Sequence, residues 1–190
     1  MDKSTARSRH PGSLGQASLW ALLAALVLFL IAPSVGNATV ATNITPSDLP
    51  ACSAPCGAGV TIVSPPLLGV TTITGGARPG DGPNLFHSFG DFSVGSGDIA
   101  NFLNDSGLTT TNIIGRVTGG NISNIDGIIR TTGFDVGALQ ANLFLVNPFG
   151  IVFGPHGSFD VGGSVSFSTA QYLRLSDGGT SANFYANPTD

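Results

Sequence analysis

The sequence predicts an all-β protein, with a right-handed parallel β-helix favoured over a β-sandwich. Glycine supplies 27 of the 190 residues and only 9% are charged, against roughly 25% in a typical soluble domain. Glutamate is absent and lysine occurs once, at Lys3, although helical bundles depend on both residue types. Short apolar runs rich in Val and Ile alternate with Gly and Asn turn signals, a pattern typical of short strands joined by tight corners.

The composition also excludes two classes of protein. A charge-driven disordered chain is poor in apolar residues, whereas this chain is 42% hydrophobic with a net charge of -4. A nucleic-acid-binding protein carries clustered Lys and Arg, and here such a cluster occurs only in the first ten residues. We therefore expect no nucleic-acid partner.

Residues 1–38 have the three parts of a secretory signal peptide. Basic residues in the first ten positions precede an uncharged apolar run at residues 19–32, and Gly36 and Ala38 place small residues at the -3 and -1 positions of a cleavage site after Ala38. The alternative, a membrane-spanning helix, needs about 20 apolar residues, more than this run offers. Cleavage would leave residues 39–190, with four arginines, ten aspartates and no lysine.

Export gives a context to the two cysteines, Cys52 and Cys56, in an extended lead-in at residues 39–58. In an oxidising compartment they could form a disulfide, with free thiols as the alternative. A zinc site is disfavoured, because zinc usually takes four ligands and no His or further Cys lies near.

The next segments are assigned in chain order. Two β-branched patches at 60–63 and 70–73, separated by a Pro pair, predict short edge strands. The partly alternating pattern at 84–94 predicts a further strand. At 98–103 the apolar residues share one helical face and Asp98 can cap it, so this stretch predicts a single helical turn.

From residue 111 onward the runs become short and regular. They lie at 112–114, 128–129, 143–146, 151–153, 159–161 and 165–167. A sandwich uses strands of about 5–6 residues, whereas a parallel β-helix uses short strands and tight corners. We expect the segment at 59–74 to cap the first coil. The tail at 186–190 shows no cap, so we expect a truncated product or the front of a longer protein.

Several ordered blocks carry a resemblance to a known family. They are residues 84–89 (NLFHSF), 92–94 (FSV), 116–120 (RVTGG), 122–127 (ISNIDG), 141–148 (ANLFLVNP), 150–155 (GIVFGP) and 160–164 (DVGGS). The chain resembles the filamentous haemagglutinin N-terminal domain, the two-partner secretion domain of bacterial exoproteins. The resemblance spans about residues 44–180.

The resemblance implies a right-handed β-helix with an N-terminal cap, here at residues 59–185. It implies export through the Sec translocon, recognition in the periplasm by the modules of an outer-membrane β-barrel transporter, and secretion to the surface of a Gram-negative-type cell. The domain would target the chain to that transporter and nucleate β-helix folding at the cell surface.

The family signature Asn-Pro-Asn-Gly-Ile appears here with Phe149 at its third position. The amide of the second Asn is therefore lost, while the Asn-Pro turn and the Gly remain. The residues that we predict for transporter recognition are Asn142, Asn147, Pro148, Gly150 and Ile151. An adhesin or haemagglutinin-like domain that binds host or surface glycans is the alternative function.

An enzyme is the weakest reading, and we expect no catalysis, cofactor or metal. A polysaccharide-degrading β-helix would need two carboxylates at one site. Asp126, Asp135 and Asp160 are the best candidates, yet each lies beside Gly or in a turn, where Asp commonly caps backbone.

The three arginines of the coil region, Arg116, Arg130 and Arg174, are expected to face solvent or to pair with Asp. The phenylalanines are expected to be core or stacking residues.

Overall fold

The computed structural model describes residues 39–50, 59–134, 140–176, 179 and 181–187. These residues belong to one compact unit, Thr39–Asp190. The predicted signal peptide, the pair Cys52 and Cys56, and Asp135 lie outside the described residues. None of the described residues forms a helix with the length and apolar character needed to cross a bilayer.

The described residues form fourteen strands and one short 3₁₀ turn, Pro79–Asp81. The strands are β1 (Asn43–Pro46), β2 (Thr61–Val63), β3 (Val70–Gly75), β4 (Asn84–Ser93), β5 (Ile99–Leu103), β6 (Asn112–Val117), β7 (Ser123–Ile125), β8 (Ile128–Thr132), β9 (Asn142–Val146), β10 (Ile151–Phe153), β11 (Ser158–Asp160), β12 (Val165–Ser168), β13 (Tyr172–Ser176) and β14 (Ser181–Tyr185). The all-β prediction is confirmed.

Most strands stack in parallel on three faces. Face A contains β4, β6, β9 and β12, face B contains β3, β5, β8 and β11, and face C contains β7 and β10. The chain visits the three faces in turn from β5 to β10, so each circuit forms one coil of a β-helix-type fold. The handedness of the coil stays a prediction.

Alternate residues of each strand point inward, because successive side chains of a strand face opposite sides. Those of successive coils lie in register and form one apolar core. Its least exposed large members are Ile73, Phe89, Phe92, Phe102, Ile113, Ile125, Ile129, Leu143 and Leu145, each at most 1% exposed. The short apolar runs of the sequence are therefore the rungs of this core.

The predicted helical turn at residues 98–103 is wrong. Residues 99–103 form β5, which pairs in parallel with β3 on one side and β8 on the other. Ala100 and Phe102 are buried while their neighbours are partly exposed. The interstrand hydrogen bonds on both sides of β5 thus outweigh a local preference for a helical turn, which would form hydrogen bonds only within itself.

Antiparallel strands cover the first coil. β1 pairs with β4 at the edge of face A, and β2 pairs with β3 at the edge of face B. Of the predicted cap at residues 59–74, β2 covers the coil, whereas β3 is itself a strand of the first coil, and β1 provides a second covering strand.

A β-hairpin formed by β13 and β14 lies on the outer side of face A. Phe184 of the hairpin packs with Phe86 and Ile114 of face A, and the partly buried Leu173 and Leu175 add to this second cluster. The hairpin therefore makes face A the middle layer of three: core, sheet and hairpin.

Candidate functional site

Four of the five predicted recognition residues, Asn147, Pro148, Gly150 and Ile151, lie at the corner between β9 and β10, whereas Asn142 lies at the start of β9. Asn147 is fully buried at the corner. Its Nδ2 donates to the backbone oxygen of Asn121 and to Ser123 Oγ, both at 2.9 Å. Its Oδ1 accepts the Phe149 N–H at 3.0 Å. The Asn147 side chain thus makes its hydrogen bonds inside the protein, and its role in the corner is structural.

Gly150 completes this corner with a φ of 124°, a region that residues with a side chain rarely adopt. Its N–H donates to the Asn147 carbonyl at 3.1 Å, and its own carbonyl accepts the Ser123 N–H at 3.0 Å. A side chain at Gly150 would strain the turn that joins face A to face C. The glycine of the signature is therefore explained by backbone geometry.

The side chains that leave the corner are apolar. Phe149 and Val152 are each 52% exposed. Pro148 is partly buried and lines, with Phe149, a groove of about 210 Å³ beside Ala186. Ile151 begins β10, opposite Ser123, and packs against the core. The exposure of Phe149 and Val152 was not anticipated from the sequence, where nothing distinguishes them from core residues.

Asn142 belongs to a ladder of three asparagines on face A. Its Nδ2 donates to Asn112 Oδ1 at 3.1 Å, and Asn112 Nδ2 donates to Asn84 Oδ1 at 2.8 Å. Its Oδ1 accepts the Ser164 N–H at 2.9 Å, which extends the link to the coil that follows. Asn142 thus ties successive coils together, away from the corner surface.

The strands that end the stack form an open edge. β10, β11 and β12 each pair with one earlier strand, and no further strand pairs with them in the described part of the chain. Phe153, Phe159 and Phe167 contact one another there, with ring centroids 4.9–5.8 Å apart. Phe153 is 48% and Phe159 is 44% exposed, so the apolar interior of the coil meets solvent at this end.

The expectation for Arg116 is wrong. Arg116 is 1% exposed and donates to backbone carbonyls and a hydroxyl, because the hairpin covers the outer side of face A. Burial lowers its pKa. The expectation holds for Arg130, which pairs with Asp160 at 2.7 Å, and for the exposed Arg174.

With this geometry in view, one family model matches the chain. It is the TPS secretion domain, and the match covers residues 61–189, more than half of the 190 residues. The chain belongs to the TPS secretion domain family. No curated protein and no solved structure shows a significant match.

The resemblance in the sequence is thereby confirmed. A TPS secretion domain is a secretion-recognition domain of exoproteins exported by Gram-negative two-partner systems, and it implies interaction with a two-partner secretion transporter. The corner and the open edge both lie within the matched residues.

Asp126 and Asp160, two of the three carboxylates considered for catalysis, form structural contacts in the TPS domain. Asp126 Oδ1 accepts the His156 N–H at 2.9 Å and lies 3.1 Å from His156 Nδ1. These hydrogen bonds, the backbone one first, lower the pKa of Asp126. Asp160 is engaged by Arg130. Among the described residues no three His, Cys, Asp or Glu side chains are grouped to hold a metal.

Proposed function

We propose that this TPS domain targets the chain to the outer-membrane transporter of its two-partner system and is itself non-enzymatic. The route begins with the signal peptide and the Sec translocon and continues through the periplasm, where the transporter's modules bind the chain. The contact lies at the corner of residues 147–151 and along β10.

The observation that carries this proposal is the exposed edge of β10. β10 pairs with β7 along one edge only, and an unpaired strand edge offers backbone N–H and C=O groups to another chain. Strand addition to such an edge is a common mode of peptide recognition, in which main-chain bonds give affinity and side chains give specificity.

The side chains beside this edge supply the specificity. Phe149 and Val152 are half exposed and lie on either side of the partly buried Ile151. Exposed aromatic residues that enter a partner's pocket commonly contribute most of the binding energy of an interface. Phe149 stands where the family signature has an amide, so a transporter paired with this chain would provide an apolar pocket at that point.

The test compares Phe149→Ser with Leu108→Ser in a secretion assay with the paired transporter. Leu108 is the matched control, since it is 40% exposed in a loop outside the corner. We expect Phe149→Ser to weaken binding by about 10- to 30-fold, the cost of a lost anchor residue, and to leave precursor in the periplasm. Leu108→Ser is secreted as the parent chain is. Equal secretion of both variants would contradict the proposal.

We also propose that the open edge nucleates β-helix folding at the cell surface. The stacked edges of β10, β11 and β12, with Phe153 and Phe159 half exposed between them, form a template on which a following coil can pair and bury its apolar side chains.

The test of nucleation is the variant Phe159→Ser, in β11 and outside the proposed transporter contact. The Phe159 side chain is already partly in water, so the domain itself loses little stability. We expect unchanged binding to the transporter modules and several-fold less protease-resistant protein at the cell surface. An undiminished yield of resistant protein would refute nucleation while leaving the targeting proposal intact.

A further inference from the structure

The outer side of face A carries a second apolar surface, which the hairpin covers. Phe86 and Ile114 are at most 5% exposed because Phe184 lies on them. The rings of Phe86 and Phe184 have centroids 5.1 Å apart. The hairpin therefore packs at a defined position on face A.

Arg116 lies on the same side of face A, beneath the hairpin, and forms hydrogen bonds with three separate parts of the chain. Its Nε donates to Ser88 Oγ at 3.1 Å, Nη1 to the Tyr185 carbonyl at 2.9 Å, and Nη2 to the Pro50 carbonyl at 2.6 Å. Its Cζ also lies 5.1 Å from the centroid of the Phe184 ring, a cation–π contact.

Burial of the charged Arg116 side chain destabilises the fold unless all of its hydrogen-bond partners are present. A guanidinium remains charged in proteins, and a buried charge that loses its partner destabilises the fold strongly. The two carbonyls that accept its Nη donors lie 66 and 69 residues away in sequence, on opposite sides. Arg116 is therefore satisfied only when the segment at Pro50 and the hairpin at Tyr185 are both docked.

Arg116 bonds to the hairpin at its Tyr185 end. Next to it, Leu173, which pairs with Phe184, and Leu175 are partly buried against the apolar cluster of face A. They also line, with Asn112 and Phe144, a groove of about 320 Å³. Apolar packing therefore holds the hairpin on face A, and the hydrogen bonds of Arg116 join the hairpin to the segment at Pro50.

We propose that Arg116 makes the docking of the N-terminal segment (residues 43–50) and of the hairpin onto face A mutually dependent. We call this role of Arg116 a latch. The face A side of the domain then closes in one step, after the chain up to Tyr185 has become available. Before Tyr185 is available both segments stay undocked and Arg116 is hydrated, because docking of one segment alone would leave one of its two Nη donors without a partner. This inference goes beyond targeting, since it concerns the order in which the domain closes.

Hydrogen exchange of the purified protein tests the latch. The variant is Arg116→Gln, and the control is Arg130→Gln, which removes an exposed arginine from face B. We expect Arg116→Gln to accelerate exchange about 10- to 100-fold, the size expected for lost charged hydrogen bonds, at residues 43–50 and in β13 and β14 together. Exchange in β5 and β8 stays within about twofold of the parent. Arg130→Gln leaves both segments protected.

A second variant tests the coupling without touching Arg116. Leu173→Asp places a charge where the hairpin packs on face A. The latch predicts faster exchange in the hairpin and also at residues 47–49, because an Arg116 that the hairpin no longer covers can be hydrated and release the Pro50 carbonyl. Persistent protection at 47–49 in this variant would overturn the proposal, as would loss of protection in only one of the two segments of Arg116→Gln.

Discussion

The two ends of the stack of coils consist of the same kind of strand, but one end is covered by further strands and the other is open. At the first coil, antiparallel β1 and β2 cover the edges, and Thr42 and Thr45 accept the N–H groups of Gly95 and Asp91 at 2.8 and 2.9 Å. At the other end, no strand of the described residues pairs with the outer edges of β10, β11 and β12, and Phe153 and Phe159 are half exposed. A covered edge prevents unwanted strand pairing, whereas an open edge allows it. We therefore expect the first coil to contribute stability and the open edge to contribute the interactions proposed above.

The largest test of this comparison truncates one phenylalanine at each end. Phe89 lies in β4 of the first coil, is fully buried, and its ring contacts the rings of His87, Phe92 and Phe102. We expect Phe89→Ala to lower the free energy of unfolding by about 3–5 kcal/mol. We expect Phe159→Ala, at the half-exposed open end, to lower it by less than about 1.5 kcal/mol. Denaturant titrations measure both, and equal losses would remove the distinction between the ends.

The corner provides the next effect in size. Asn147→Leu removes the carboxamide that bonds Asn121, Ser123 and Phe149 and leaves their buried groups unpaired. The expected cost is about 2–3 kcal/mol in the free energy of unfolding. In cells, secretion falls while the periplasmic level of precursor does not. Normal secretion of this variant would show that the shape of the corner is irrelevant to recognition.

A smaller effect follows from His87, which lies beneath the cap. Burial, and secondarily the charge of Arg78, lowers the pKa of His87 to about 3. The Thr61 hydroxyl of β2 lies 3.3 Å from its Nδ1. The folded pKa is below the unfolded value of about 6.5, so the fold favours the neutral ring. Its contribution is fully present above about pH 6.5 and is lost as the pH falls towards 3.

We therefore expect the free energy of unfolding to fall by about 1–2 kcal/mol between pH 6.5 and 4.5. His87→Gln removes this slope although it lowers stability at neutral pH. Chemical denaturation at several pH values measures the slope. A slope that is the same in both proteins would show that His87 does not titrate on unfolding. Asp126 does not obscure this window, because its pKa is lowered from an already acidic value.

The smallest effect concerns the ion pair of Arg130 and Asp160 at the open end. Both side chains are exposed, at 36% and 66%. Exposed pairs contribute about 0–1 kcal/mol and are screened by salt. Arg130→Gln should therefore leave thermal unfolding nearly unchanged in high salt. A large loss of stability there would mean that the open end is more rigid than its exposed edges indicate.

The sequence predicts the strands well because their signal is local. The runs at 128–129 and 143–146, bounded by turn residues, correspond to β8 and β9. The misassigned segment at 98–103 shows the limit of local patterns. Its apolar residues fit one turn of helix, and only the neighbouring strands β3 and β8, each about 30 residues away, decide for β5.

The sequence marks the residues of the corner, but it does not show how the fold uses them. The signature locates the corner, yet the burial of Asn147 depends on Asn121 and Ser123 from the preceding coil. The burial of Arg116 depends on a hairpin almost 70 residues away. The exposure of Phe159 depends on its place in the last coil, because the same residue type at Phe102 is fully buried.

The central claim is that the TPS domain binds the transporter's periplasmic modules through the corner and β10. Its most direct measurement is a titration of the purified protein with those modules, followed by isothermal calorimetry. We predict saturable binding that weakens about 10-fold or more in Phe149→Ser and is unchanged in Leu108→Ser. Absence of saturable binding by the parent protein, or equal binding by the two variants, would contradict the account.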